Sequence, residues 1–319
     1  MLLIGINVPA FAADAEGDTP PTDNPIYTDM TSITIRKGYK LIGAGSSPAE
    51  TFTLEQSGSG RVKDGDAQSA PALGAITGAV FGEGAAADPA ASGTITVTLP
   101  QYDSVGIYEY TLIEKAGTTA GVAYYGDAIK LVVTVINGDD GKLRVAAVHT
   151  ESEGADKSDT FENTYSAGTL KISKTVTGNM GDKNKYFEFT VLLSGRSGMT
   201  YPETFAVSGG SYAQNPKTIK LNEGTTFMLK HGDTISIANL PYDVDYMVIE
   251  MAADGYTTTS TNETGRISAA EQTAAFTNVK NSAVDTGVML DSLPYVLMLA
   301  AVLGVAAAMV VRRRRGAED

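Results

Sequence analysis

The sequence predicts an all-β protein with two tandem β-sandwich domains, an N-terminal signal remnant and a C-terminal transmembrane helix. Short runs rich in Thr, Val, Ile and Tyr alternate with Gly-containing turns along the body of the chain, as in half-buried strands. This pattern begins again after residue 166, and 319 residues exceed the size of one ordinary domain. A long apolar run near the C-terminus has the length of a membrane-spanning helix.

The first residues have the features of an export signal. Residues 1–12 contain an apolar run that ends in Ala10-Phe11-Ala12, a small-x-small cleavage pattern. A basic n-region is missing, which indicates a misplaced start codon or a truncated chain. A short buried N-terminal strand is the alternative. Residues 13–30 are acidic and Pro-rich, which predicts a disordered leader.

The strand-like runs that follow divide into two sets. Residues 31–166 and 167–281 are the two predicted domains, with the boundary near residues 166–168. The stretch "INGDDGKL" has the residues of a hairpin turn, and the Ala- and Gly-rich stretch 69–93 is compatible with a long loop or a short helix. The runs of the first domain are "TSITIRKGYKLIG", "ETFTLEQ", "GTITVTL", "GIYEYTLIE", "DAIKLVVTVIN" and "KLRVAAVHT"; those of the second are "GTLKISKTVTGN", "KYFEFTVLL", "TFMLKHGDTISIANL", "DYMVIE" and "QTAAFTNV".

The C-terminal region, residues 282–319, combines three features. Residues 293–311 are apolar and uncharged, and Arg312 to Arg315 follow at once, which places the tail in the cytoplasm and the body outside. We therefore expect the precursor to be anchored in the plasma membrane. The stretch "AVDTGV" before the span resembles a Gram-positive cell-wall sorting signal, although Ala-Val stands where that signal usually has Leu-Pro. The resemblance implies cleavage by a sortase between Thr286 and Gly287; a plain membrane anchor is the alternative.

Composition excludes several functions. A net charge of −13 and a pI of about 4.6 argue against nucleic-acid binding. The absence of Cys excludes disulfides, thiolate catalysis and Cys-based zinc sites, and the two histidines, His149 and His231, cannot build a multi-His metal site. No Asp ladder has EF-hand spacing. We therefore predict neither a cofactor nor a metal, and an exported chain without Cys indicates an envelope where disulfides are uncommon.

Each half carries three polar residues on an apolar strand face. Because alternate strand residues share a face, a lysine in the first strand, a glutamate at the end of a middle strand and the Asn of a closing Phe-x-Asn all point inward. The Lys–Glu separations of the two halves are 77 and 76 residues. The residues are Lys37, Glu114 and Asn163 in the first half and Lys174, Glu250 and Asn278 in the second.

Two explanations fit these residues. A buried Lys–Glu ion pair with Asn as hydrogen-bond partner would satisfy the polar groups without chemistry. Alternatively, burial lowers the pKa of a lysine and raises that of a carboxylic acid, which favours proton transfer between them. A neutral amine held against the carboxamide carbon can attack it, and the acid can shuttle protons. Ammonia then leaves and an intramolecular isopeptide bond remains.

The combined motifs resemble a known family over residues 31–281. "ITIRK", "VGIYEYTLIEKAG", "GVAYYGDAIKLVVTVINGDDGKL" and "FENTY" are similar to the isopeptide-linkage domain of Gram-positive major pilins, and "LKISKTVTGN", "YFEFTV", "LPYDVDYMVIE" and "FTNV" to the second domain of such pilins. The resemblance implies Ig-like β-sandwich domains stacked in a fibre. It also implies two crosslinks, Lys37–Asn163 assisted by Glu114 and Lys174–Asn278 assisted by Glu250.

The resemblance further implies a covalent head-to-tail polymer. In related pilins the acceptor lysine lies shortly before the Asn strand, a place that Lys157 matches; Lys115 and Lys142 are alternatives. The implied partners are other copies of the chain, a sortase and peptidoglycan, with minor pilins and the host surface as further candidates. The predicted function is a pilus shaft subunit at the cell surface rather than an enzyme.

Two other functions are compatible with the sequence. One is a wall-anchored adhesin or minor pilin of the same domain type. The other is a secreted enzyme that uses Glu114 or Glu250 as general acid. One acid per domain, each with a lysine on the same face, argues against the enzyme.

Overall fold

The structure is a computed structural model that describes residues 29–152, 160–283, 297–303 and 305. Several sequence predictions concern residues outside this description. They are the export signal, nearly all of the acidic leader, Lys157, Thr286, Gly287, the greater part of the apolar segment 293–311, and Arg312 to Arg315.

The described body consists of β-strands, as the sequence predicts. The strands of the first half are β1 (Ser32–Gly43), β2 (Glu50–Phe52), β3 (Leu54–Gln56), β4 (Arg61–Gly65), β5 (Ile76–Thr77), β6 (Ala79–Phe81), β7 (Ala91–Thr98), β8 (Gly106–Glu114), β9 (Val122–Ala123), β10 (Ile129–Asn137) and β11 (Leu143–Ser152). The others are β12 (Thr160–Thr177), β13 (Phe187–Ser194), β14 (Phe205–Gly209), β15 (Thr218–Ile219), β16 (Thr225–Leu229), β17 (Thr234–Pro241), β18 (Asp245–Glu250), β19 (Thr257–Thr261), β20 (Thr264–Arg266) and β21 (Glu271–Val279).

The strands form where apolar and polar residues alternate. In β13, "FEFTVLLS", every second side chain is buried and the others are half-buried, the period of two that one apolar sheet face requires. The turn predicted between β10 and β11 is confirmed: the Gly138 amide donates to the Lys142 carbonyl, and Gly141 has a φ of 75°. The Ala- and Gly-rich stretch contains the short strands β5 and β6 rather than a helix, because β6 pairs with β2 and β5 with β7.

In the first half two large sheets enclose one core, and β2 and β6 form a further two-stranded sheet beside them. Strand β1 lies between β7, which is antiparallel to it, and the first part of β12, which is parallel to it. The second sheet has the order β11-β10-β8-β3, with β4 also on β8. Side chains from both sheets form one hydrophobic cluster that includes Tyr39, Tyr110 and Leu131.

The second half repeats this arrangement. The latter part of β12 pairs with β21 in parallel and with β17 antiparallel. The facing sheet has the order β16-β13-β18-β20. A second hydrophobic cluster, which includes Ile172, Phe189 and Phe227, lies between these sheets.

One strand joins the two halves where the sequence predicts a boundary. The 18 residues of β12 close the first sheet and open the next without a linker. The two hydrophobic clusters meet along it between Ala167 and Leu170. At Gly168 a Cβ atom would lie 2.1 Å from the Ala269 carbonyl oxygen, so only glycine fits at this crossing.

Residues 297–303 are helical. Within the part of the chain that the structure describes, no helix is long and apolar enough to span a membrane.

Candidate functional site

The first candidate site lies where β1, β8 and β12 meet inside the first core. Parallel pairing aligns Lys37 with Phe161 and Tyr39 with Asn163. Lys37 and Asn163 are therefore diagonal neighbours on adjacent strands of one sheet. Glu114, the last residue of β8, reaches them from the opposite sheet.

Three hydrogen bonds hold these side chains together. The Lys37 ammonium donates to Oε2 of Glu114 and, at 2.7 Å, to Oδ1 of Asn163. The Asn163 amide nitrogen donates to the other carboxylate oxygen, Oε1, at 2.5 Å. The Lys37 and Glu114 side chains are 1% and 0% exposed, so each member of the triad contacts the other two away from water.

Burial controls the charge of Lys37. Desolvation lowers the pKa of its amine below the ordinary 10.5, and the hydrogen bond and negative charge of Glu114 oppose that shift only in part. The amine also lies 5.4 Å from the ring centroid of Phe52 and 5.6 Å from that of Tyr125. The surroundings therefore favour a neutral amine more than water does.

The second site repeats the construction on β12, β18 and β21. Lys174 aligns with Phe276 and Val176 with Asn278, the same two-residue offset as in the first half. Lys174 donates to both carboxylate oxygens of Glu250 at 2.8 Å, and the Asn278 amide donates to Oε1 at 2.5 Å.

The surroundings of Lys174 resemble those of Lys37. The Lys174 and Glu250 side chains are 0% and 2% exposed. Burial lowers the pKa of Lys174, again against the hydrogen bond and charge of Glu250. The amine lies 4.3 Å from the Phe187 ring centroid.

Each triad contains the groups that an amide exchange needs. A buried amine is a nucleophile once it loses its proton, and a carboxylate in contact with both the amine and the amide can accept and return that proton. In such an exchange, contact geometry would take the place of a separate enzyme, since the groups are already oriented. The same contacts are also those of a plain buried ion pair.

One contributor to the first site could not be predicted from the sequence. The backbone N–H of Tyr125 donates to Asn163 Oδ1 at 2.8 Å. Because any non-proline residue carries this donor, side-chain patterns give no signal for it.

The remaining predicted residues lie apart from these triads. Lys115 and Lys142 are exposed, in agreement with a role as surface lysines. His149 contacts Glu151 at 2.9 Å, and His231 accepts the Val176 amide at 3.0 Å. No group of acidic or His side chains among the described residues is placed to hold a metal ion.

The first half of the chain matches a known domain family. Residues 36–166 match the Spy0128-like isopeptide containing domain. The first half is therefore similar to this domain over residues 36–166, which include the whole first triad. Residues 168–280, which contain the second triad, match a domain of unknown function, DUF7601.

Two curated relatives of the chain are named as streptococcal pilus proteins. The chain is 26% identical over 219 residues to a pilin of Streptococcus pyogenes serotype M1, which covers 62% of this chain and 64% of that protein. It is 32% identical over 130 residues to the pilus tip adhesin Cpa of Streptococcus pyogenes, covering 38% of this chain. The chain thus spans 64% and 18% of the lengths of these two relatives.

Solved structures show the same fold. The crystal structure of the major pilin from Streptococcus pyogenes matches with a TM-score of 0.50 and 21% identity, covering 80% of this chain and 100% of that one. A mutant of that pilin matches with a TM-score of 0.51 at 21% identity, covering 79% and 99%. The Spy0128-like domain and the half that follows it therefore have together the architecture of a major pilin.

Proposed function

We propose that the protein is the shaft subunit of a pilus and that each of its two domains, both Ig-like, closes a Lys–Asn isopeptide bond without a separate enzyme. The observation that carries the proposal is the repetition of one buried triad. Both halves place lysine, asparagine and glutamate on equivalent strands, with the same parallel offset and the same pattern of burial. A plain ion pair does not require a carboxamide in both triads.

The bond forms by amide exchange. Lys37 transfers a proton to Glu114, and its neutral Nζ attacks Cγ of Asn163. Glu114 returns the proton to Nδ2 of the tetrahedral intermediate and takes a second proton from the attached Nζ, and the Cγ–Nδ2 bond then breaks so that ammonia leaves and a neutral amide remains. The hydrogen bond from Nδ2 to Glu114 Oε1 already points along the transfer to Nδ2. Lys174, Glu250 and Asn278 react in the same way.

Both crosslinks involve β12, so together they form one covalent path for a pulling force. Asn163 lies in the first part of that strand and Lys174 in the second. A pull on the chain therefore passes from β1 into β12 and from β12 into β21 through covalent bonds. The hydrogen-bond ladders carry less of the load, as a fibre subunit requires.

The C-terminal region supplies attachment. A sortase cleaves between Thr286 and Gly287 and joins the threonine to a lysine of the next subunit, for which Lys157 is the first candidate and Lys115 and Lys142 are alternatives. The apolar segment 293–311 and the arginines after it hold the precursor in the plasma membrane until this step. The final partners are other copies, peptidoglycan, and minor pilins and the host surface.

Intact mass tests the crosslinks. Residues 27–281 contain both hydrophobic cores and are purified without any sortase. We expect a mass two ammonia molecules below the sequence value. After correction for the substitution, Lys37→Ala and Lys174→Ala each restore one ammonia. A mass equal to the sequence value would leave two ion pairs and refute the covalent proposal.

The similarity to a tip adhesin favours a second candidate, a minor pilin or wall-anchored adhesin of the same domain type. Incubation of the chain with the cognate sortase separates the two. A shaft subunit forms a ladder of covalent polymers on a denaturing gel, and Lys157→Ala removes it. An adhesin yields no ladder of itself.

A further inference from the structure

The two triads differ at the oxygen atom of the reacting carboxamide. In the first domain, Asn163 Oδ1 accepts two hydrogen bonds, from Lys37 Nζ at 2.7 Å and from the Tyr125 backbone N–H at 2.8 Å. In the second domain, Asn278 Oδ1 is buried, and none of the described residues donates a hydrogen bond to it. The two triads have the same side chains and differ in the hydrogen-bond donors that contact the carboxamide oxygen.

Exchanging the two amide atoms of Asn278 does not remove this difference. Its Nδ2 donates to Glu250 Oε1 at 2.5 Å. While Glu250 is ionised, the reversed amide would place two acceptor oxygens against each other, because an ionised carboxylate has no proton to donate. The triad before reaction therefore keeps Nδ2 toward Glu250, and Oδ1 has no donor among the described residues.

The lysines also engage their carboxamides differently. Lys37 binds one Glu114 oxygen and the Asn163 oxygen, so its nitrogen already touches the group that it attacks. Lys174 binds both Glu250 oxygens at 2.8 Å. No hydrogen bond joins the second amine to the carboxamide that it attacks, among the contacts of the described residues.

A donor at Oδ1 matters because charge develops there. When the amine adds to Cγ, the C=O bond becomes a C–O⁻ bond and the negative charge is on Oδ1. A backbone N–H held in position stabilises that charge in a water-free site, and removal of one such donor costs roughly 10²–10³-fold in rate in enzymes that use them. Tyr125 offers such a donor in the first domain.

We propose that the backbone N–H of Tyr125 is an oxyanion donor for the first crosslink and that this crosslink closes faster than the second. The inference rests on the proposed isopeptide chemistry. It assigns a catalytic contact that no side chain supplies, and it gives the two bonds an order: the Spy0128-like domain is stapled first and the following domain later.

Time-resolved mass analysis tests the order. Residues 27–281 are purified from inclusion bodies in guanidinium chloride, where unfolded chains cannot react, and are then diluted to fold. Samples are quenched in acid and digested, and the two crosslinked peptides are quantified, while far-UV circular dichroism follows folding. We expect the Lys37–Asn163 peptide to reach half of its final amount at least about tenfold sooner than the Lys174–Asn278 peptide.

Equal rates, or a faster second bond, would overturn the inference and leave the proposed function intact. If neither peptide forms in folded protein, the proposed function itself fails. The two failures are therefore distinguishable in one experiment.

Substitution at Tyr125 tests the donor. Tyr125→Pro removes the N–H, and Tyr125→Ala keeps it while removing the ring that packs on Phe161 at 5.2 Å. We expect the proline variant to form the first crosslink about tenfold or more slowly than the alanine variant, with the second crosslink as the internal reference. A proline variant that closes at the rate of the alanine variant would overturn the assignment.

A structural effect of proline is measured separately. Both substitutions are placed in an Asn163→Ala background, in which the first bond cannot form, and their melting temperatures are compared. If the proline variant does not fold there, the wild-type comparison of the two crosslinks still decides the order.

Discussion

Lys37 and Asn163 are 126 positions apart in the chain, yet the lysine nitrogen lies 2.7 Å from the asparagine oxygen. Parallel pairing of the first strand with β12 makes this contact, and Glu114 completes it from the opposite sheet. One carboxylate thus contacts both reacting groups. The role of Glu114 is therefore the most direct part of the proposal to test.

Glu114→Gln is expected to abolish the first crosslink and leave the second. Glutamine keeps the size of the side chain and an acceptor oxygen, but it cannot take the lysine proton and return it to the leaving amide. The intact mass should then show the loss of one ammonia instead of two. Glu250→Gln should remove the other bond in the same way.

Glu55→Gln is the matched control, because Glu55 is exposed on β3 beside the end of β8. It should retain both ammonia losses. If Glu114→Gln protein reaches the full deficit at the wild-type rate, the carboxylate has no part in the proton transfer.

Asn163→Ala should lower the free energy of unfolding by an amount that the length of the closed loop sets. The crosslink joins residues 126 positions apart, and the chain-entropy treatment of such a loop gives about 4–5 kcal/mol. Denaturant unfolding followed by circular dichroism measures the difference. Asn184→Ala, which removes an exposed amide outside either triad, is the comparison. A loss within about 0.5 kcal/mol of zero would show that the bond does not constrain the unfolded chain.

The depressed pKa of Lys37 predicts a pH dependence that can be isolated by difference. In Asn163→Ala protein the amine is still buried beside Glu114, so its pKa in the folded state stays below 10.5. As pH rises from the lowered value toward 10.5, the unfolded chain binds more protons than the folded one, and the free energy of unfolding increases.

Lys37→Met supplies the reference, and both proteins also carry Glu114→Gln, because the Glu114 carboxylate would otherwise lose its partner in only one of them. The remaining titrating groups are shared and cancel, and burial still lowers the Lys37 pKa when glutamine replaces Glu114. We expect the free energy of unfolding of the protein that keeps Lys37, minus that of its Lys37→Met counterpart, to rise with pH on the alkaline side of neutrality. A difference that stays flat or falls would mean that burial does not lower the pKa of Lys37.

Strand periodicity accounts for what could be predicted of the site. In "YEYTLIE", Glu114 has the same parity as Tyr108, Tyr110 and Leu112. The structure buries all four side chains, because alternate residues of a strand face the same way. The same rule predicts the inward faces of Lys37 and Lys174 from their own strands. A charged residue on an apolar strand face can thus be recognised from the sequence alone.

Other features depend on pairings between distant strands, which periodicity does not specify. The two-residue offset that brings Lys37 to Asn163 is set by the register of β1 on β12. The contact from Tyr125 uses a backbone group common to nearly all residues. The boundary predicted near residues 166–168 lies within one continuous strand, and Gly168 is required there because the Ala269 carbonyl oxygen approaches its backbone too closely for a Cβ atom.

Asn239 connects the two halves of the chain through the hydrogen bonds of its side chain. Asn239 lies in β17 with a φ of 57°, a left-handed conformation that asparagine tolerates. Its amide nitrogen donates to the Ser46 carbonyl at 2.9 Å, and its Oδ1 accepts the Ser46 amide at 3.0 Å. The Tyr165 hydroxyl donates to the same oxygen at 3.3 Å. One side chain of the second half therefore holds a loop of the first.

Asn239→Ala should loosen this junction and leave both crosslinks intact. Each of the two lost hydrogen bonds to Ser46 contributes about 0.5–1.5 kcal/mol, so local opening should become roughly 5- to 150-fold more frequent. The Ser46 amide loses its own acceptor in this variant, so opening is measured by hydrogen exchange at the Ala44 amide, which donates to the Ala167 carbonyl at 2.8 Å. Asn222→Ala, at another left-handed asparagine with a φ of 60°, should leave the exchange of Ala44 unchanged. Equal protection of Ala44 in wild-type and Asn239→Ala protein would mean that β12 alone fixes the two halves, and that the Asn239 amide adds nothing to the stiffness of the subunit.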